Sequence, residues 1–132
     1  MMLGIDTNVL VRFLVRDDPA QFDKARTLIK SEVSHGKRVF INQLVLQETE
    51  WVLRSRYKVT KQQMMDTLSA LLEAPDVQLE DEPAVEEALY VWRNATADFA
   101  DCLISARNRR LGCRATASFD VKAVKLPGFV GV

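Results

Sequence analysis

The strongest constraint on this chain is a repeated alternation of short apolar runs, closed by polar turns, with longer stretches of helical spacing. Residues 2–6 (MLGID) suit a buried first strand stopped by Asp6-Thr7-Asn8, and a short helix is predicted over 8–16. Asp18-Pro19 marks a helix start, because aspartate caps free N–H groups and proline loses nothing at the first helical position. That helix is expected to run to about Val33 and to end at Ser34-His35-Gly36. Residues 38–41 (RVFI) read as a second buried strand, and Asn42 as the cap of a helix over roughly Leu44–Tyr57. Thr60-x-x-Gln63 has the spacing of a capping box and opens a helix through Leu72. A third strand is expected at 77–79, then a helix from Glu82-Pro83 to about Trp92 and another from Phe99 to Leu111, capped by Asp98. Residues 114–117 and 129–132 supply a fourth and a fifth strand. Strands separated by helices pair in parallel. The expected fold is therefore α/β, a three-layer α/β/α sandwich with a mostly parallel four- or five-stranded sheet, in a single domain over 1–132.

At 132 residues, 48% of them hydrophobic, such a chain can bury a core of its own. No apolar run approaches the length of a membrane span, and the first residues, MMLGIDTN, lack the basic and apolar regions of a signal peptide. The sequence thus reads as a cytoplasmic protein with no membrane partner. Cys102 and Cys113 do not form a C-x-x-C pair and read as reduced thiols. Lys and Arg (18) balance Asp and Glu (18), which argues against coating nucleic acid by bulk attraction. Two local clusters, Arg54, Arg56, Lys58 and Lys61, then Arg107, Arg109, Arg110 and Arg114, permit a basic track. Each of these residues taken singly reads equally well as part of a solvated helix face.

Four carboxylates, Asp6, Glu48, Asp101 and Asp120, fall just after a predicted strand or near the start of a predicted helix. In an alternating fold those positions share one rim of the sheet, where four negative charges repel unless a cation sits among them. Each acid also has a plainer role. Asp6 and Asp120 suit turns or caps, and acids at 98 and 101 suit the first turn of a helix; capping explains Asp98. Glu48 is the most telling, because Leu44, Val45, Trp51 and Val52 set it into an apolar stripe where it needs a partner. Glu50 precedes Arg54 by four residues and reads as half of a surface ion pair. Thr7, Asn8 and Ser118 are polar neighbours able to orient carboxylates or water, or simply to close turns. With only oxygen donors in the pattern, a hard cation, Mg²⁺ or Mn²⁺, is expected rather than zinc.

Taken together, I-D-T-N-V-L (5–10), V-L-Q-E-T-E-W-V-L (45–53), D-F-A-D-C-L-I (98–104) and S-F-D-x-K-A-x-K-L-P-G-F (118–129) resemble the PIN domain, and within it the VapC-type toxin ribonucleases. Each motif alone is weak; the four in order span nearly the whole chain. The resemblance implies that Asp6, Glu48, Asp101 and Asp120 are the catalytic, metal-holding acids, with Thr7 or Asn8 as the polar helper after the first aspartate. Ser118 stands where the family often has threonine. The implied activity is Mg²⁺- or Mn²⁺-dependent endoribonuclease cleavage of RNA by a metal-activated water. The implied partners are a VapB-type antitoxin and a second copy in a homodimer, for which stretches 44–57 and 64–72 offer amphipathic faces. Two alternatives keep the residues and change the role: a PIN-fold nuclease of RNA processing, and a non-catalytic acidic-pocket binding module. His35, alone in a Ser-His-Gly-Lys loop, is a poor candidate for acid–base work.

Overall fold

A computed structural model describes residues Met1–Val132. Its contacts divide the chain into two compact units, Met1–Glu80 and Asp81–Val132.

The first unit begins with strand β1 (Leu3–Gly4), followed by helices α1 (Thr7–Val15) and α2 (Pro19–Ser34). Strand β2 (Val39–Ile41), helices α3 (Gln43–Arg56) and α4 (Lys61–Glu73), and strand β3 (Val77–Leu79) complete it. The strands form a parallel sheet in the order β1-β2-β3, with Leu3 opposite Val39 and Val39 opposite Val77. Val39, Ile41 and Leu79 are buried, as expected of strands carried inside an α/β layer. The helix starts follow the cues in the sequence. Asp18 Oδ1 accepts the Gln21 N–H at 3.1 Å, Asn42 Oδ1 the Val45 N–H at 2.8 Å, and Thr60 and Gln63 form both halves of the capping box. Along α4, Met64, Met65, Leu68 and Leu71 are buried, so that amphipathic face belongs to the core and not to an outer surface.

The second unit contains helices α5 (Glu82–Trp92) and α6 (Phe99–Arg110), strand β4 (Thr116–Ser118), a 3-10 turn at Ala123–Lys125, and strand β5 (Phe129–Gly131). Trp92 and Phe99 pack with ring centroids 5.3 Å apart, and Arg110 Nε pairs with Asp81 at 2.6 Å. β4 and β5 pair in parallel, with Thr116 opposite Phe129. Gly128 explains the L-P-G-F sequence: its φ is +84°, and a Cβ there would stand 2.7 Å from Ser105 Oγ. Ser105 Oγ instead donates to the Pro127 carbonyl at 3.0 Å, tying α6 to the approach of β5.

The fold is mixed α/β with parallel strands, as the alternation predicts. Two details differ. The five strands hydrogen-bond as sheets of three and two rather than as one ladder, and the fourth strand lies two residues later than its apolar run suggests. The Thr116 N–H bonds the Gly128 carbonyl at 2.8 Å, so pairing with β5 sets that strand's start.

Candidate functional site

The acids expected to carry chemistry fall into two groups, one in each unit. In the first, Asp6 lies between β1 and α1, and its Oδ1 accepts the Val9 N–H at 3.0 Å. The cap and the candidate site residue are thus the same side chain. Thr7 opens α1, and its hydroxyl donates to Glu48 Oε1 on α3. That bond fixes the carboxylate beside the residue that follows Asp6. Asn8 is exposed and lines a different groove with Arg12, Gln21 and Lys24, so of the two it is Thr7 whose side chain engages an acid.

Glu48 itself overturns one expectation. It is exposed and not sunk in an apolar stripe; it lines an open pocket of about 630 Å³ with Asn42, Leu44, Gln47 and Trp51. Leu44 and Trp51, 78% and 51% exposed, share this outer face. The buried face of α3 is Gln43, Leu46, Thr49, Glu50 and Leu53. Three of those five are polar, which is why hydrophobic spacing misassigned the face. Partners hold two of the three: Gln43 Nε2 donates to the Glu80 carbonyl at 3.2 Å, and Glu50 pairs with Arg54 Nε at 2.9 Å. The Thr49 hydroxyl has no hydrogen-bond partner. Glu50 makes the expected i,i+4 ion pair, but from a side chain only 3% exposed, so the pair is not a surface feature on the acid's side. Its structural role stands and its placement is corrected.

In the second unit, Asp98 occupies the N-cap position of α6, yet its side chain makes no capping hydrogen bond. The capping role assigned from sequence is not taken up. Its carboxylate instead lines an open pocket of about 410 Å³ with Asp101, Asp120, Val121 and Lys122. Asp101 is half-buried, one turn along α6 from Asp98. Burial, then the charge of Asp98, then that of Asp120 push its carboxyl above the ordinary carboxylate value, and a backbone hydrogen bond at Asp98 opposes the rise. Asp120 is held tightly: its Oδ1 accepts the Lys122 N–H at 2.8 Å and the Ala123 N–H at 3.0 Å. Its own N–H donates to Ser118 Oγ at 2.9 Å. Ser118 therefore positions Asp120 through the loop. Asp98 is the member that sequence reasoning set aside, and the i,i+3 spacing of Asp98 and Asp101 on one helix face was the available signal.

Both groups offer oxygen donors alone, the chemistry that suits Mg²⁺ or Mn²⁺. Neither unit gathers three acidic, histidine or cysteine side chains within reach of one ion. The like-charge pressure on Asp101 is relieved by any cation entering that pocket. His35 is exposed at the end of α2, with its ring Nδ1 2.7 Å from the Ser31 carbonyl. Of the basic clusters, Arg109 and Arg110 are engaged in ion pairs with Glu87 and Asp81, whereas Arg56 and Lys58 lie exposed at the end of α3.

A family model described as the PIN domain matches residues 4–128. A VapC ribonuclease of Aquifex aeolicus (strain VF5) is 26% identical over 125 residues, an alignment covering 92% of this chain and 90% of that protein. No helix is long and apolar enough to cross a membrane.

Proposed function

This chain belongs to the PIN domain family, and on that premise we propose that it is a metal-dependent endoribonuclease of the VapC type, the toxin of a toxin–antitoxin pair. The observation that carries the reading is the crowding of Asp98, Asp101 and Asp120 in one pocket, where the neighbouring charges raise the Asp101 carboxyl. Such crowding has an electrostatic cost that a catalytic cation offsets. The relative's printed name, VapC ribonuclease, supports RNA as the substrate.

In this reading Asp6, Glu48, Asp101 and Asp120 are each required, and the whole of 1–132 works as one nuclease domain. Bound Mg²⁺ or Mn²⁺ supplies Lewis acidity toward the phosphodiester and a water of lowered pKa. The chain's own part is positioning. The Thr7 hydroxyl holds one Glu48 oxygen, the α1 N-terminus holds one Asp6 oxygen, and the loop from Ser118 to Ala123 holds one Asp120 oxygen. Carboxylates fixed in this way lose little freedom when they engage a ligand. Two protein partners complete the reading. One is a VapB-type antitoxin that blocks the acids with a basic side chain, since guanidinium pairs with carboxylates in a bidentate manner. The other is a second copy, for which the exposed Leu44 and Trp51 of α3 offer an apolar surface.

The test is incubation of purified protein with total cellular RNA in Mg²⁺, in Mn²⁺ and in chelator. Discrete fragments bearing 5′-phosphate and 3′-hydroxyl ends, formed only with metal, are expected. RNA binding without cleavage under all three conditions replaces this reading with a non-catalytic binding module.

A further inference from the structure

The acidic pocket of the second unit is lined by one cationic side chain, Lys122, among Asp98, Asp101 and Asp120. Its place in the pocket wall is fixed. The Lys122 N–H donates to Asp120 Oδ1 at 2.8 Å, and the 3-10 turn that follows is anchored by buried Ala123 and Leu126. The side chain, by contrast, is exposed, and its ammonium forms no ion pair with any of the pocket's three carboxylates. Elsewhere in the same unit the basic side chains Arg109 and Arg110 are spent on Glu87 and Asp81. Lys122 keeps its three donors for something else.

A phosphodiester brought to this pocket meets three like charges. An unpaired ammonium on a flexible stem, rooted in the wall by the backbone, is the group that makes such an approach favourable. We propose that Lys122 is the phosphate-binding cation of the pocket, donating to a non-bridging oxygen of the RNA backbone at or next to the bond that is cut. The inference rests on the ribonuclease reading for its substrate. It adds a resident substrate contact that the four acids do not supply.

The test separates the two ideas. Binding of a labelled single-stranded RNA oligonucleotide is measured over a range of salt in an Asp101→Asn background, with Lys122 intact, Lys122→Ala or Lys122→Arg. The alanine variant is expected to bind about tenfold more weakly, the scale of one charged hydrogen bond to phosphate. The slope of log affinity against log salt should fall by roughly 0.7, one phosphate contact on a single strand, and arginine should restore both. In the chain with Asp101 intact, Lys122→Ala should raise KM by a similar factor and leave kcat within about threefold, the pattern of a binding contact. Unchanged affinity and salt slope overturn the proposal, and so does a loss in kcat at constant KM. If the unaltered protein cuts no RNA with either metal, the nuclease reading fails by itself, and the binding arm still decides the fate of Lys122.

Discussion

The two units hold their acids differently. In the first, Asp6 gives Oδ1 to the Val9 N–H, Glu48 receives the Thr7 hydroxyl, and Asp17 sits between Tyr57 Oη at 3.0 Å and Arg12 at 3.0 Å. Desolvation pushes the Asp17 carboxyl up, but the hydrogen bonds from Tyr57 and Arg12, with the arginine charge, outweigh it and leave it below the ordinary value. In the second unit Asp101 has like charges for neighbours and is raised. Donors engage Asp6, Glu48 and Asp17 in the first unit; in the second, Asp120 is held in the same way, while Asp101 has the charges of Asp98 and Asp120 beside it.

The largest expected effect breaks function in both units alike. Glu48→Gln in the first and Asp101→Asn in the second should each lower RNA cleavage by at least about 10²–10³-fold, the scale of losing one charge-stabilising group. Thermal unfolding of metal-free protein then distinguishes them. Asp101→Asn removes a repelled charge and should raise Tm by roughly 1–3 °C, whereas Glu48→Gln should leave it level or slightly lower. A drop in Tm for Asp101→Asn would contradict the contrast between the units.

Next in size is a structural acid. Glu50→Ala should cost about 1–3 kcal/mol in denaturant unfolding, less than a fully buried pair because Arg54 remains half in water. Cleavage by folded Glu50→Ala should be near normal. Asp120→Ala should cost about 1 kcal/mol through loss of its backbone cap, while Asp120→Asn keeps an acceptor and should lose activity with little loss of stability. Thr7→Val should lower cleavage by roughly tenfold, as for a residue acting through a ligand it orients.

The smallest effect is a pH dependence with opposite signs in the two units. The depressed Asp17 carboxyl adds stability that is present above its unfolded pKa and is lost as pH falls through the lower folded value. The raised Asp101 carboxyl does the reverse: its ionisation costs stability as pH rises through the folded value, above the ordinary carboxylate range. Each unit has one tryptophan, Trp51 and Trp92, so the variants Trp92→Phe and Trp51→Phe report the units separately. Acidification should weaken the Trp51 signal's unfolding resistance first, and Asp17→Asn should reduce that difference to the part that Asp101 contributes.

Much of the fold was legible because local chemistry announced it. Asp18-Pro19, Asn42 and the Thr60/Gln63 box begin helices where their spacing says they do. β4 was less legible because its bounds come from pairing with β5, and β5 depends on Gly128 clearing Ser105, contacts that no single segment encodes. α3 misled most, since it buries Gln43, Thr49 and Glu50 and shows Leu44 and Trp51 to solvent. A tertiary partner, Glu80, and one on the same helix, Arg54, accommodate the buried Gln43 and Glu50. The hydrogen bond that Glu48 receives from the Thr7 hydroxyl, 41 positions away, was not readable from the sequence. Asp98 was set aside because capping is the common fate of an aspartate there, and only the structure shows the cap bond unmade.

The most direct test of the central claim is single-turnover cleavage of one RNA in Mg²⁺ by the unaltered protein, Glu48→Gln and Asp101→Asn side by side. The account predicts metal-dependent cleavage by the first and near silence from both variants, as the proposal that Glu48 and Asp101 are each required demands. Cleavage at close to the normal rate by either variant would contradict it and confine the activity to a single unit.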